Sequence, residues 1–249
     1  MPTSVTYLGT TYTIPDFEQS EAVQSRQSQW SNIRAGLIAL LGTFPGGVDS
    51  TNAVYVAKHG SASNSGLNPL APKLTITQAI AVATALSPTA TNQITIYVLD
   101  AGIYTESVTL TAYIKIVGIA ALIVGAVTLP PNTAIHVDTI TNSDSGIAVT
   151  RSTGVGAVYV RAKKITSNGA TTFSVASSSD FTFIDLDHLE NTASGKNFNS
   201  GTSGQVFANI RLIGAAGSTF EGESTIRLSY MRNLGTFDVQ GTLLSMTVA

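Results

Sequence analysis

The chain has 249 residues, 43% of them hydrophobic and only 11% charged, with a formal net charge of −2. So small a charged share, with the Lys and Arg residues scattered, excludes a phosphate-neutralising stripe, and nucleic acid is not an expected partner. The absence of Cys removes disulfides and thiolate metal sites, and the most apolar run, Val117 to Leu129, is glycine-interrupted and too short to span a bilayer, so no membrane partner is expected.

In chain order, residues 4–14 alternate in the manner of a strand or hairpin, with Val5, Tyr7, Tyr12 and Ile14 as the larger side chains. Pro15 and Asp16 stop it and offer a helix cap. From Glu18 to Leu41 the composition is helical. Val23, Trp30 and Leu37 share one heptad position, while Arg26, Ile33 and Leu40 share the other. That spacing fits a short seam joining two or three helices, and fits equally a single amphipathic helix packed on its own domain. The run from Gly42 to Asn52, with Pro45-Gly46-Gly47, reads as a linker, so 1–46 is expected as one segment and 47–249 as the main domain.

The main domain opens with a β-rich run, Val54 to Ala57, and a polar loop from Gly60 to Pro72. An amphipathic helix is predicted over 75–86, followed by a strand from Ile94 to Leu99. Further strands are predicted at 121–129, 133–140, 147–150, 157–165, 171–176, 181–186, 206–212, 225–228, 236–239 and 243–248, with Gly, Asn, Ser or Pro in nearly every gap. Coils of roughly twenty residues or more would use this length in about eight turns. A β-sandwich competes, because it too is made of many short strands.

The entrance carries a resemblance that favours the coils. Tyr55, Val56, Gly60, Asn64, Ser65, Gly66, Pro72, Thr75, Ile76, Ala79 and Ile80, then Ile96, Val98, Gly102, Tyr104, Glu106, Val108, Leu110 and Gly118, resemble the opening of pectin-lyase-like right-handed parallel β-helix proteins. Ser63 departs from it, standing where many relatives have an acidic residue. The resemblance covers about a quarter of the chain and implies an all-β fold, a right-handed parallel β-helix whose first turn is plugged by the helix near 75–86. It implies no single chemistry, since that family includes lyases, esterases, hydrolases and inert fibres. Tyr104 and Glu106 are expected to pack the first turn.

The densest acidic cluster is Phe183-Ile-Asp185-Leu-Asp187-His-Leu-Glu190. With Ile184 and Leu186 inward, Asp185 and Asp187 share the outer face with Phe183, the carboxylates roughly 6.6 Å apart by backbone spacing. That overlaps the separation of about 6.5–9.5 Å that inverting glycosidases use, with the aromatic as a sugar platform. The competing expectation pairs Asp187 with Arg211, one coil later. Glu221 and Glu223 with Arg227 and Arg232 read as a solvated turn or inter-subunit contact. Asp138 and Asp144 are too isolated for calcium, and His59, His136 and His188 have no metal-ligand spacing. No metal and no cofactor is expected, and no catalytic residue beyond the two candidate aspartates.

Val5, Tyr7, Gly9, Tyr12, Ile14 and Pro15, followed by Trp30, Ile33, Leu37 and Leu40, resemble the leader of tailed-bacteriophage fibre and head-decoration proteins. Asp16-Phe-Glu-Gln and a longer helical stretch stand where the acidic-Gly turn of that leader usually falls. The resemblance implies that 1–46 attaches to a virion, with Tyr7, Tyr12, Ile14, Trp30, Ile33, Leu37 and Leu40 mediating attachment or oligomerisation. The expectation is a non-enzymatic structural protein, a homotrimeric head fibre or capsid decoration ahead of a tail fibre. It would lie on the virion surface after synthesis in the host cytoplasm, because Met1-Pro-Thr-Ser-Val-Thr-Tyr7 lacks the pattern of a signal peptide. Its partners would be its own copies, a major capsid or tail/baseplate protein, and a host-surface glycan. Tyr97, Tyr113, Phe207 and Phe220 are expected as outward or inter-subunit aromatics. The alternative is a tailspike depolymerase, a polysaccharide hydrolase or lyase working through Asp185 and Asp187.

Overall fold

Short runs of Val, Ile and Thr broken by Gly, Asn and Ser make strands too short to be stable alone, so each must find partners far along the chain. The computed structural model describes residues 3–7, 10–14, 51–176, 181–193, 195–200, 205–213, 220–222, 225–233, 239–240 and 243–248, with side chains in 51–176, 181–193, 195–199 and 205–211. The chain divides into two units, Met1–Asp49 and Ser50–Ala249. In the first, β1 (Thr3–Tyr7) and β2 (Thr10–Ile14) form an antiparallel hairpin with Val5 opposite Tyr12 and Tyr7 opposite Thr10. The helix expected from Glu18 to Leu41, and with it Trp30, Ile33, Leu37 and Leu40, lies outside the described residues, as do the side chains of Tyr7, Tyr12 and Ile14.

The second unit is all-β with parallel sheets. Its elements are β3 (Ala53–Val56), α1 (Ile76–Ala85), β4 (Ile94–Val98), β5 (Ile103–Thr105), β6 (Val108–Thr109), β7 (Ile114–Val124), β8 (Val127–Leu129), β9 (Thr133–Asn142) and β10 (Val149–Arg151). They continue as β11 (Val158–Ser167), β12 (Thr171–Val175), β13 (Phe181–Asn191), β14 (Lys196–Ser200), β15 (Gln205–Ile213), β16 (Phe220–Gly222), β17 (Thr225–Asn233), β18 (Val239–Gln240) and β19 (Leu243–Val248). From β6 onward, successive strands alternate between two sheets. One is ordered β6-β8-β10-β12-β14-β16-β18, the other β3-β4-β7-β9-β11-β13-β15-β17-β19, with β5 also paired to β7. Every pair among the described strands of this unit is parallel, as between β9 and β11 or β12 and β14. An antiparallel sandwich does not produce that pattern. The strands β5, β6, β14 and β16 are ones that the sequence pattern does not announce.

Register turns the sequence alternation into columns. Val54, Ile96, Ile116, Ile135, Val160, Ile184, Ala208, Leu228 and Met246 pair in succession along the long-strand sheet. Those from Val54 to Ala208 are all buried. Members recur roughly every 18–25 residues after the insertion of α1, in line with the predicted coil length. In the short-strand sheet, Val127, Val149, Phe173 and Phe198 form a second buried column, the two Phe rings stacked at 5.7 Å. Each such side chain removed from water is worth about 1.5–3 kcal/mol, which suits a chain with few charges.

The long strands break their own alternation once. Asp138 and Thr139, Lys163 and Lys164, and Asp187 and His188 are adjacent residues that both face away from the core. The strand therefore turns a corner there and presents two outer facets. At its far end a polar column makes the next turn. Asn142, Ser167 and Asn191 are in register and buried. The Asn142 amide donates to the carbonyl of Ile147 at 3.0 Å, the Ser167 hydroxyl to that of Gly146 at 2.7 Å, and the Asn191 amide to that of Gly169 at 2.8 Å. Backbone groups left over at the bend are thus satisfied by side chains.

The beginning of the stack is covered by α1. Its buried face, Ile76, Ala79, Ile80 and Ala83, belongs to the same core cluster as Val54 and Ile96. Thr75 caps it by accepting from the Gln78 amide, and Glu106 reaches in from the loop after β5. The Glu106 carboxylate accepts from the amides of Ile76 at 2.9 Å and Thr77 at 2.8 Å, and from the Thr77 hydroxyl. A negative charge at a helix N-terminus with its free amides bound is a favourable arrangement.

Truncating one member of the long column tests this packing. Ile135→Ala is expected to cost about 2–5 kcal/mol of unfolding free energy. Val155→Ala, at a residue 72% exposed, should stay within about 0.5 kcal/mol of the parent chain. Urea unfolding of both variants measures this, and comparable losses would refute the columns.

Candidate functional site

The outer face of the long-strand sheet gathers the residues that carry chemistry. Ile184 and Leu186 are buried and Asp185 and Asp187 face out, as alternation along β13 requires. Each aspartate meets its own guanidinium. Arg161, one strand back, lies 3.4 Å from Asp185, which also accepts from the Asn209 amide at 3.1 Å. Asp187 pairs with Arg211 on the next strand, and both side chains are about half exposed. Lys163 pairs with Asp138, and Lys164 lies 3.0 Å from Glu190. Opposite charges therefore alternate along the stack at the strand corner.

His136 and Arg161 are register neighbours, and with Ile119, Lys163, Asp185, Asp187 and Arg211 they line a shallow depression of about 390 Å³. Ile119 is lifted over it where the pairing of β7 with β9 slips between Gly118 and Leu122. Burial, reinforced by the Arg161 charge and only partly offset by Asp185, pushes the His136 imidazole below its usual range. Burial with Lys164 does the same to His188, against the pull of Glu190. Both imidazoles thus favour the neutral form.

The second feature is aromatic. Tyr159, Phe183 and Phe207 occupy successive register positions, their rings stacked at 4.8 Å and 5.2 Å with interplanar angles of 6° and 13°. Phe181 leans against Phe183 and Phe207 at 6.1 Å and 5.9 Å. Tyr55 and Tyr97 stack at 5.8 Å nearer the helix end. Of the aromatics expected outside, Tyr97 is 40% exposed and Phe207 belongs to the ladder. Tyr113 sits in a turn with φ of 65°. Phe220 pairs with the buried Phe198, its side chain outside those described. The sequence reading missed Tyr159 and Phe181. Tyr159 could have been found by stepping one coil back from Phe183, as Asp187 was matched to Arg211 by stepping forward.

Tyr104 and Glu106 hold the first turn together. The fully buried Tyr104 donates its hydroxyl to Asp100 at 2.8 Å, and burial together with that bond pushes the phenol far up. Burial opposes ionisation of Asp100, but the Lys58 amide, the Tyr104 hydroxyl, the Gly102 amide and nearby His59 hold its carboxyl below the usual range. Among the described residues no group of three or more His, Cys, Asp or Glu could hold a metal, and no helix is long and apolar enough to cross a membrane. Arg227, Arg232 and Glu221 lie in β17 and β16 with side chains outside those described, and Glu223 lies outside the described residues.

Comparison with protein-family models, with curated proteins and with solved structures finds no match.

Two carboxylates on this unit are expected to differ sharply in worth. Asp187→Asn, breaking a half-exposed pair, should change stability by less than about 1 kcal/mol. Glu106→Ala strips the partners from the start of α1 and should cost about 1–3 kcal/mol. Denaturation of the two variants side by side gives the ordering, and equal losses would contradict it.

Proposed function

We propose that this chain is a right-handed parallel β-helix serving, as a homotrimer, as a non-enzymatic fibre or decoration protein on the surface of a tailed-phage particle. Attachment as a head fibre or capsid decoration is favoured over a tail fibre. The observation that carries the reading is the use of the second unit. Strands alternate between two parallel sheets, each pairs with its equivalent a coil later, and one register column runs from Val54 to Met246, buried from Val54 to Ala208. This is the economy of a solenoid, in which each coil needs only its neighbours. The paired adjacent outward residues at the strand corners fit a coil with more than two faces.

A structural role is further supported by the state of the two candidate carboxylates. A glycosidase sets one carboxyl in an apolar site, whereas Asp185 lies 3.4 Å from Arg161 and Asp187 pairs with Arg211, both side chains of that second pair being half exposed. Tyr97, Leu99, Ile103 and Ile119, between 40% and 66% exposed, supply apolar surface that self-association would cover. The hairpin of β1 and β2 is the attachment segment in this reading, with a capsid or baseplate protein as its partner.

A second reading, a polysaccharide depolymerase, is favoured by one feature: Asp185 and Asp187 line the same depression, close to an aromatic ladder. The double variant Asp185→Asn/Asp187→Asn separates the two. No polysaccharide cleavage by the parent chain disposes of the enzyme, and undiminished cleavage by that variant removes Asp185 and Asp187 as its catalytic pair.

The structural reading itself is tested by sedimentation equilibrium of the full chain and by antibody labelling of purified particles. A trimer in solution and regular surface labelling are expected. A monomer at micromolar concentration that is absent from particles would end the proposal.

A further inference from the structure

The corner that follows the long strands has room only for glycine, and in one coil this creates a reactive dipeptide. The turns after β9, β11 and β13 each lead into a glycine, at 146, 169 and 195. A Cβ on Gly169 would collide with the carbonyl oxygens of Gly146 and Ser145, and one on Gly195 with the carbonyl oxygen of Gly169. Neighbouring turns therefore pack backbone on backbone, and the stack itself imposes glycine at 169. Ser145 and Ser194 precede the glycine in the flanking turns, whereas Asn168 does so in the middle one. Asn168-Gly169 is the sole Asn-Gly sequence of the chain, and Asn168 is exposed.

An Asn side chain followed by glycine is open to attack by the next backbone nitrogen, because no Cβ hinders the approach. The Gly169 nitrogen would bond to Asn168 Cγ and pass its proton to the side-chain nitrogen, which leaves as ammonia. The resulting succinimide ring is opened by water at either carbonyl, giving Asp or isoaspartate. In the folded stack the reacting groups are all engaged. The Gly169 amide donates to Ser167 Oγ at 2.9 Å, and the Ser167 hydroxyl in turn donates to the carbonyl of Gly146 at 2.7 Å. Asn168 Nδ2 donates to the carbonyl of Ser143 at 2.7 Å, and its Oδ1 accepts from the Ser145 amide at 2.9 Å. The carboxamide is thus clipped to the turn of the coil behind, and ring closure requires these bonds to open together.

We infer that Asn168 is a deamidation site, held closed by the stacked coils and released when this corner comes apart. The corner's other asparagines are poor competitors. Asn142 and Asn191 are buried and are followed by Ser143 and Thr192, whose Cβ atoms hinder the attack. The product cannot resume the role of Asn168. An Asp there keeps an acceptor for the Ser145 amide but has no donor for the Ser143 carbonyl, which it meets with a charge instead. Isoaspartate also adds a methylene to the main chain, in a turn where Gly169 has no space to spare. Conversion is therefore a one-way mark, made while the corner is open and weakening the corner afterwards. The inference goes beyond the particle reading and stands without it, since the folded and unfolded chain can be compared directly in solution.

The test incubates the full chain at mildly alkaline pH, folded in buffer or unfolded in guanidinium chloride. Mass spectrometry of the peptide spanning Asn168, with its Asp and isoaspartate forms separated, gives the rate. The unfolded chain should convert at Asn168 ahead of every other Asn, with isoaspartate among the products. The folded chain should convert there at least about tenfold more slowly. Ser167→Ala, which frees the Gly169 amide, should speed conversion in the folded chain several-fold. Asn168→Asp, made directly, should unfold at a lower guanidinium concentration than the parent. Equal rates in the folded and unfolded chain overturn the closure by the stack. No conversion in the unfolded chain, or Asp without isoaspartate, overturns the site itself. A folded Ser167→Ala that converts as slowly as the parent removes that hydroxyl from the closure, and an Asn168→Asp chain as stable as the parent refutes the weakening. If Ser167→Ala does not fold, the two rates of the parent chain decide the matter.

Discussion

Everything in the larger unit depends on parallel strands stacking in register, so that like side chains fall on like from one strand to its register partner. A column such as Ile116, Ile135, Val160 and Ile184 is buried because the residue before and after it in space is another aliphatic of similar volume. No residue in the column is unique, and the hydrophobic gain is spread over many modest contributions. A slip of one residue would turn a whole strand inside out, which is why register is held so firmly. The polar bends are the complement of this. Asn142, Ser167 and Asn191 repeat one bond at one corner, each side-chain oxygen accepting from the amide two residues ahead, at Asp144, Gly169 and Ala193.

An interior fixed by repetition leaves the outside free to vary. On the outer facets the same register that stacks isoleucines stacks Tyr159 on Phe183 on Phe207, and alternates Asp138, Lys163, Asp187 and Arg211 in sign. The charge pattern neutralises itself, which makes it a weak base for acid–base chemistry and a reasonable lateral surface. The aromatic column does not satisfy itself, because it stops at Ala134 and leaves one ring face open. At the start of the stack the same problem of an open end is met by α1, with Glu106 and Thr75 occupying its free amides.

Much of this was legible in the residues, and the reasons for the rest are physical. The helix over 75–86 announced itself through its amphipathic pattern, a local signal, and its Thr75 cap and the burial of Ile76, Ala79, Ile80 and Ala83 complete it. The inward setting of Ile184 and Leu186 followed from alternation, and the pairing of Asp187 with Arg211 from the coil length. The strand Lys196 to Ser200 was not legible, since Phe198 is its one apolar residue and the rest is held in the sheet by β12 and β16 rather than by its own preference. The paired outward residues at each corner escaped notice because they interrupt the period of two on which the reading relied. Arg161 reaches Asp185 from the strand behind, whereas Arg211 reaches Asp187 from the strand ahead, so spacing in one direction gives only one of the two partners.

The most direct test of the account is a cross-linking experiment, made clean by the absence of native cysteine. Thr139 and Lys164 are register partners on adjacent parallel strands, whereas Thr139 and His188 are two strands apart. Adjacent strands lie about 4.8 Å apart, within the Cα separation that a disulfide accepts, and next-nearest strands do not. Thr139→Cys/Lys164→Cys should therefore oxidise to an intramolecular disulfide in the native chain while Thr139→Cys/His188→Cys stays reduced. The reverse result, or efficient closure of both pairs, would contradict the stacked register on which the fold and its outer surface rest.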